Sequence, residues 1–381
     1  MKDAMDVRLF TIAMGLIIMI DIISLNVQCE ITQFSSVQQL NAYFEKFFAT
    51  NQSITSQEWH NALPTSIERS QMKKLIMDIF FASDFKTQCS SSLFNKYDAL
   101  RNHLNVTLFK DNFCVIHELI PVNNATLFKR FWGYAIIANA NFSERAIHHS
   151  APHFYSDGDV CNETAAIFER TSGRSLVVAG ADRSAVIGEE TNTCQPTTTL
   201  ADAAHNNETM FHTICEGLYE ATLKSGIEES VFIQWHGMAE TSCSTVQAFI
   251  SAGVDNSSSI YLDANLPANR IVHHFNALMG GASTPAFDTE CHLLATTNIF
   301  GRYINGVPPN VVCYERANNT SIRGGFVHIE QKRAIRDNWD LWTKVINTSF
   351  PVPSDSASHC VLAVSTAFAV GTIISLLSER Y

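Results

Sequence analysis

From about residue 131 to residue 346 short apolar runs alternate with segments of helical periodicity, and this alternation constrains the fold more than any other feature of the chain. Tyr134–Ala138, Ser175–Ala179, Val231–Trp235, Ala248–Ser251, Val311–Tyr314 and Phe326–Ile329 read as strands, bounded by turn residues. Between them lie predicted helices. These are Glu163–Arg170 closed by Gly173, Ala201–Lys224 closed by Gly226, Ala268–Leu278 before Gly280-Gly281, and about Arg333–Ile346. Strands separated by helices of this length imply an α/β fold with a mixed, mostly parallel central sheet and helices on both faces. Upstream, Val37–Phe48 and Met72–Phe81 carry apolar residues three and four apart, so residues 30–130 are expected to form a helical N-terminal subdomain. It would cover an α/β domain over 131–349.

The ends of the chain read differently. Leu9–Ile20 is a twelve-residue apolar run after Lys2 and Arg8, the size of a signal-peptide core, and Val27-Gln-Cys29 supplies a cleavage pattern; residues 1–29 are expected to be a signal peptide. Cys360–Leu377 is an uncharged apolar run of eighteen residues, so 350–381 is expected to be a linker and a C-terminal membrane anchor or anchor signal. Ten Asn-x-Ser/Thr sequons, at Asn51, Asn105, Asn124, Asn141, Asn162, Asn207, Asn256, Asn318, Asn319 and Asn347, agree with export and N-linked glycans. With Cys29 and Cys360 set aside, eight of the ten cysteines remain, an even number that predicts four disulfides in an oxidising compartment. A net charge of -11 without any basic block excludes nucleic acid as a natural partner.

Reactive residues gather where the strand signals end, the place where open α/β sheets bind ligands. Phe232-Ile-Gln-Trp-His236-Gly237 ends in a histidine, Ser150-Ala-Pro-His153 in another, Val177-Val-Ala-Gly-Ala-Asp182-Arg183 in an arginine, and Phe326-Val-His328-Ile-Glu330 in a carboxylate. Two imidazoles, a carboxylate and a guanidinium are the set that a metal-assisted hydrolase needs, with zinc as the expected ion. His153 and His236 are the first two expected ligands, and either His148 or His149 is an alternative to His153. The third is an acid after His153. Glu163 in the first turn of the following helix is one choice, Asp157 or Asp159 in the loop another, and each also reads as a helix-terminus acid. His328 and Glu330 share a strand face, which suits Glu330 as general base and His328 as a substrate contact. Arg183 is the expected clamp for an oxyanion or substrate carboxylate. His205 and His212, seven apart on one predicted helix, are further expected substrate contacts. No Gly-x-Ser-x-Gly elbow, Walker A loop or Gly-x-Gly-x-x-Gly after a strand occurs.

The order Pro152-His153, Asn162-Glu163, Ala181-Asp182-Arg183, Phe211-His212, Trp235-His236-Gly237 and His328-Ile-Glu330 resembles the N-formylglutamate amidohydrolase group, over about residues 131–345. That resemblance implies the phosphorylase/hydrolase-like fold of the zinc carboxypeptidases, zinc held by His153, Glu163 and His236, substrate bound at Arg183 and a base at Glu330. The chain departs from the group where an Asp-x-Asn-Arg segment becomes Ala181-Asp182-Arg183, and where His153 and Glu163 stand farther apart than a His-x-x-Glu pair. The expectation is a secreted or cell-surface zinc hydrolase of an amide bond in an N-acyl amino acid or peptide-like substrate, with membrane attachment through the tail. Its rival is a catalytically inactive cell-surface glycoprotein that uses the fold for recognition or adhesion. Bound metal separates the two.

Overall fold

Capping residues set the start of the first helices. Ser36 caps α1 (Val37–Phe44), and two reciprocal capping boxes, Thr55 with Glu58 and Thr65 with Glu68, open α2 (Ser56–Ala62) and α3 (Ser66–Phe80). The structure, a computed structural model, describes residues 31–122, 125–227, 229–318 and 322–352. The expected signal peptide, and the anchor from residue 353 onward, lie outside the described residues. No helix among the described residues is long and apolar enough to cross a membrane.

The helical character expected of the N-terminal subdomain over 30–130 extends as far as Arg101. Leu104–Phe109 and Phe113–Glu118 form β1 and β2, an antiparallel hairpin turning through Lys110 and Asp111 at positive φ. Val106, Thr107, Val115 and Ile116 favour that choice, because β-branched side chains pack best on a pleated surface. The hairpin joins β3 (Tyr134–Ala138), so the N-terminal residues extend the central sheet itself.

The sheet continues with β4 (Ala146–Ala151), α4 (Val160–Arg170), β5 (Ser175–Val178), α5 (Met210–Ser225) and β6 (Ser230–Gly237). Then come β7 (Ala248–Ser251), α6 (Pro267–Leu278), β8 (Ala282–Ser283), β9 (Phe326–Gln331) and α7 (Trp339–Ser349). Nine strands run in the order β1-β2-β3-β5-β4-β6-β9-β7-β8. Pairing is parallel through the centre, from β5 to β4, β6 and β9, and between β7 and β8; the other pairs are antiparallel. The fold is therefore the expected mixed α/β sheet, with its parallel part confined largely to the middle.

Strand parity separates the two faces. Phe232, Gln234 and His236 of β6 face α5 and the helix Ile299–Ile304, where Phe232 meets Tyr219 and Phe300 edge to face. Trp235 points the other way and packs edge to face on Trp342 of α7. β4 divides likewise: His148 bonds Thr222 of α5, whereas His149 faces Trp235. Helices thus cover both faces. The chain leaves β4 for β5 on one side and later reaches β6 on the other, so β4 marks a switch point whose carboxyl end opens a crevice.

Several expected elements are shorter or absent. The helix expected from Ala201 begins only at Met210, because the side chains of Asp202 and Asn206 bond nearby backbone N–H groups and hold 201–208 in turns; Thr209 then caps the helix. Gly226 closes it in the left-handed conformation, as expected. Val311–Tyr314 is a turn rather than a strand, tied down at Cys313. The last helix is split into Arg333–Arg336 and α7, where the Asn338 side chain accepts from the Leu341 N–H.

Among the described residues three disulfides form, Cys89–Cys114, Cys194–Cys313 and Cys243–Cys291, where four are expected. Cys161 on α4 and Cys215 on α5 are buried free thiols on opposite faces of the sheet, which prevents their pairing. Such cross-links agree with folding in an oxidising compartment. Of the sequons, Asn162 is buried inside α4 and bonded to Asn41 and Asp159, so it is closed to a glycan. Asn51, Asn141, Asn256 and Asn318 are exposed.

Candidate metal centre

His153 lies two residues beyond β4, and the chain turns back at once. Ser156 N–H bonds the Phe154 carbonyl at 2.8 Å and Gly158 N–H bonds that of Tyr155 at 2.9 Å, with Tyr155 and Gly158 both at positive φ. This curl returns Asp157 to His153, with Oδ2 3.1 Å from Nδ1. His236 at the end of β6 completes the group: its Nδ1 is 3.0 Å from His153 Nδ1 and 3.1 Å from Asp157 Oδ2. Gly237 N–H donates to the same carboxylate oxygen at 3.2 Å. All three side chains are buried.

Which ring nitrogens carry protons follows from their partners. The Gly301 N–H fixes Asn298 Oδ1 as an acceptor, so Asn298 Nδ2 must donate to Gln234 Oε1. That oxygen is 3.0 Å from His236 Nε2, which therefore holds the ring proton and leaves a lone pair on Nδ1. His153 Nε2 likewise faces Asp202 Oδ1 at 2.9 Å. Both imidazoles thus spend Nε2 on an outer acceptor and turn Nδ1 toward one point shared with a carboxylate. An imidazole held by a carboxylate or amide on its far nitrogen is the arrangement that orients metal ligands.

The charges favour a cation at that point. Burial opposes ionisation of Asp157, yet His153 and His236 hold it well below the usual carboxylate range. Burial pulls His153 down, but the carboxylates of Asp157 and Asp202 outweigh it and raise the group to about 9. Without a metal, a proton on His153 supplies the positive charge. His236, lowered to about 4 chiefly by burial, stays neutral. Arg183 also leans in: Nη2 contacts Asp157 Oδ1 and lies 2.6 Å from His153 Nδ1, and Nε donates to Ser156 Oγ at 3.1 Å.

On the adjacent strand Glu330 is in register with His236 and His328 with Gln234, so these four side chains share one face. The His236 and His328 rings are 4.3 Å apart, and His328 Nε2 is 3.7 Å from Glu330 Oε1. His236, His328 and Glu330 form a second group with ligand-type atoms close together. Burial, and next the charge of Asp157, raise Glu330 to about 8. His328 is held well below the usual imidazole range, first by burial and then by His236 and His153.

The structure separates other expected residues from this centre. Glu163 bonds Gln331 at 2.6 Å, and Gln331 follows Glu330 on β9, so Glu163 belongs to the opposite face. Asp157, the alternative third acid, is the one beside His153 and His236. Asp159 bonds Asn162 instead. His148 and His149 are strand residues engaged by Ser175 and Thr222, and by Trp235 and Thr171, respectively. His205 is the exception: it sits in the turns before α5, bonded to Gln195 at 2.8 Å, close enough to feel the charges of Asp202, His153 and Arg183, whereas His212, inside the helix, pairs with Glu216 at 3.2 Å. The two histidines therefore do not share a helix face. Sequence reasoning missed Asp202, Gln234 and Asn298. Gln234 alone left a trace, as a polar residue inside an apolar strand run, where burial demands a partner.

No protein-family model matches this chain, and no curated protein matches it. Among solved structures it is similar to a gene product of Agrobacterium tumefaciens, with a TM-score of 0.33 and 8% identity over 54% of this chain and 88% of that one. It is also similar to a protein of Shewanella denitrificans described as a carboxypeptidase A, with a TM-score of 0.30 and 10% identity over 57% of this chain and 60% of the other. Likeness at this level says nothing of the site.

Proposed function

We propose that this chain is a zinc-dependent hydrolase of amide bonds, secreted or held at the cell surface, acting on an N-acyl amino acid or peptide-like substrate. One observation carries the reading: the Nδ1 atoms of His153 and His236 and Oδ2 of Asp157 lie 3.0–3.1 Å from one another, with both Nε2 atoms engaged outward. Tetrahedral zinc with bonds of about 2.0–2.2 Å wants such atoms about 3.3 Å apart, so two imidazoles and a carboxylate fit it with little movement. When bound, the ion supplies a Lewis acid that polarises a carbonyl and makes a nearby water more acidic. Glu330, raised to about 8 in the metal-free protein, would be returned to its carboxylate form by the charge of a bound cation and could then take the proton of the attacking water, its position fixed by the register with His236. Arg183, a third exposed and already at the lip, stabilises the oxyanion. The sequence resemblance to N-formylglutamate amidohydrolases supports the same bond type.

The contact of Arg183 with both Asp157 and His153 favours a second reading, in which the guanidinium is the permanent cation and the protein is a non-catalytic recognition glycoprotein. A panel of N-acyl amino acids assayed with zinc-loaded wild type and Glu330→Gln tests the first. Turnover that falls by about two to four orders of magnitude in the variant, with zinc retained, is expected. Equal turnover in both proteins removes Glu330 as base, and no turnover of any member favours the recognition reading.

A further inference from the structure

Two nitrogens beside the centre, Nε2 of Gln234 and Nδ1 of His328, are shut from solvent without a hydrogen-bond partner among the described residues. Gln234 is fully buried and His328 only 6% exposed. The two residues are in register on the adjacent parallel strands β6 and β9, so their side chains stand next to each other on the face that carries His236 and Glu330. A polar atom closed off from water is costly to leave unpaired, and here each lacks what the other offers.

The polarity of the pair follows from a chain that starts in the backbone. The Gly301 N–H donates to Asn298 Oδ1 at 2.8 Å, so Asn298 Nδ2 donates to Gln234 Oε1, and the same oxygen accepts from His236 Nε2 at 3.0 Å. With that oxygen settled, Nε2 of Gln234 is a donor. His328 Nδ1 meets it as an acceptor, which puts the ring proton on Nε2. That nitrogen is 3.7 Å from Glu330 Oε1, longer than a formed hydrogen bond, as hydrogen bonds of reacting groups commonly are before a ligand binds.

We propose that Gln234 is a positioning residue for the base. Its Nε2–H donates to His328 Nδ1, and His328 Nε2–H donates to Glu330 Oε1. One amide thus sets the tautomer of His236 with its oxygen and that of His328 with its nitrogen, and Glu330 is held with an oxygen accepting on the strand next to His236. This deepens the hydrolase reading and rests on it for the role of Glu330.

The tautomer is read without turnover, from long-range proton–nitrogen correlation spectra of the whole chain carrying isotopically labelled histidine, with and without zinc. The His328 signals are those missing from His328→Gln. Wild type should carry the His328 proton on Nε2 alone, and Gln234→Leu, which removes the donor, should show both tautomers. With N-acyl amino acids, His328→Leu is expected to lower kcat about 10–100-fold at unchanged zinc content. His328→Gln, whose amide N–H still reaches toward Glu330, should lose clearly less.

A proton on His328 Nδ1 in wild type overturns the proposal, as does a single unchanged tautomer in Gln234→Leu or an equal loss of kcat in the two His328 variants. If Gln234→Leu does not fold, Gln234→Met, closer in shape, decides by the same comparison. A His328 tautomer that follows Gln234 in a protein that binds no zinc would sink the hydrolase reading and leave the hydrogen-bond chain standing. Zinc-dependent turnover that needs Glu330, in a protein with His328 protonated on Nδ1, would do the reverse.

Discussion

At the scale of single residues, the centre depends on which nitrogen of each imidazole is free. Asp202 holds His153 by Nε2, so Asp202→Asn, which keeps the shape and the bond to the Ala204 N–H, should weaken zinc about 10–100-fold without unfolding the protein. Competition with a chelator of known affinity measures it; an unchanged affinity would mean that Asp202 does not orient the ligand. A pH dependence follows from His153. Its pKa of about 9 in the metal-free protein arises because Asp157 and Asp202 overcome the effect of burial, so below that pH the ring carries a proton that a metal must displace. Affinity should therefore rise with pH toward about 9, and zinc binding at pH 7 should release at least one proton. Titrations in buffers of different ionisation enthalpy count the protons. None released would contradict the assignment of Nδ1 as a ligand.

At the scale of elements, what could be read from the sequence was what local chemistry dictates. Ala248–Ser251 appears as β7 with the expected bounds, and Gly226 closes α5, because apolar runs and left-handed caps act over a few residues. His153, His236 and Glu330 were legible for a similar reason: each marks the end of an apolar strand run. The choice of Asp157 over Glu163 was not. It depends on a turn in which Tyr155 adopts a positive φ that its residue type does not advertise, and on the parity that sets Gln331 opposite Glu330. The eight cysteines misled as a count, since α4 and α5 carry Cys161 and Cys215 to opposite faces. The disulfide Cys194–Cys313 joins the loop before α5 to the turn after the helix Ile299–Ile304, across a sequence separation of 119. Replacing both with alanine should cost about 2–5 kcal/mol, read as a lower midpoint in urea, whereas Cys215→Ser disturbs only a buried thiol. A double variant as stable as wild type would show that this bond does not constrain the unfolded chain.

For the whole molecule, the parallel centre of the sheet brings the ends of β4, β5, β6 and β9 to one crest, and the antiparallel flanks widen the sheet without adding to that crest. This is why residues as far apart as His153, Arg183, His236 and Glu330 converge although no short motif joins them. Their convergence has chemical meaning only if the centre takes a metal ion. The decisive measurement is the zinc content of the purified protein, by elemental analysis after dialysis, for wild type, His153→Ala and His236→Ala. The account predicts one zinc per wild-type chain and loss of most of it in each variant, with the circular dichroism of the fold preserved. A wild type that binds no metal, or variants that keep a full equivalent, would contradict it.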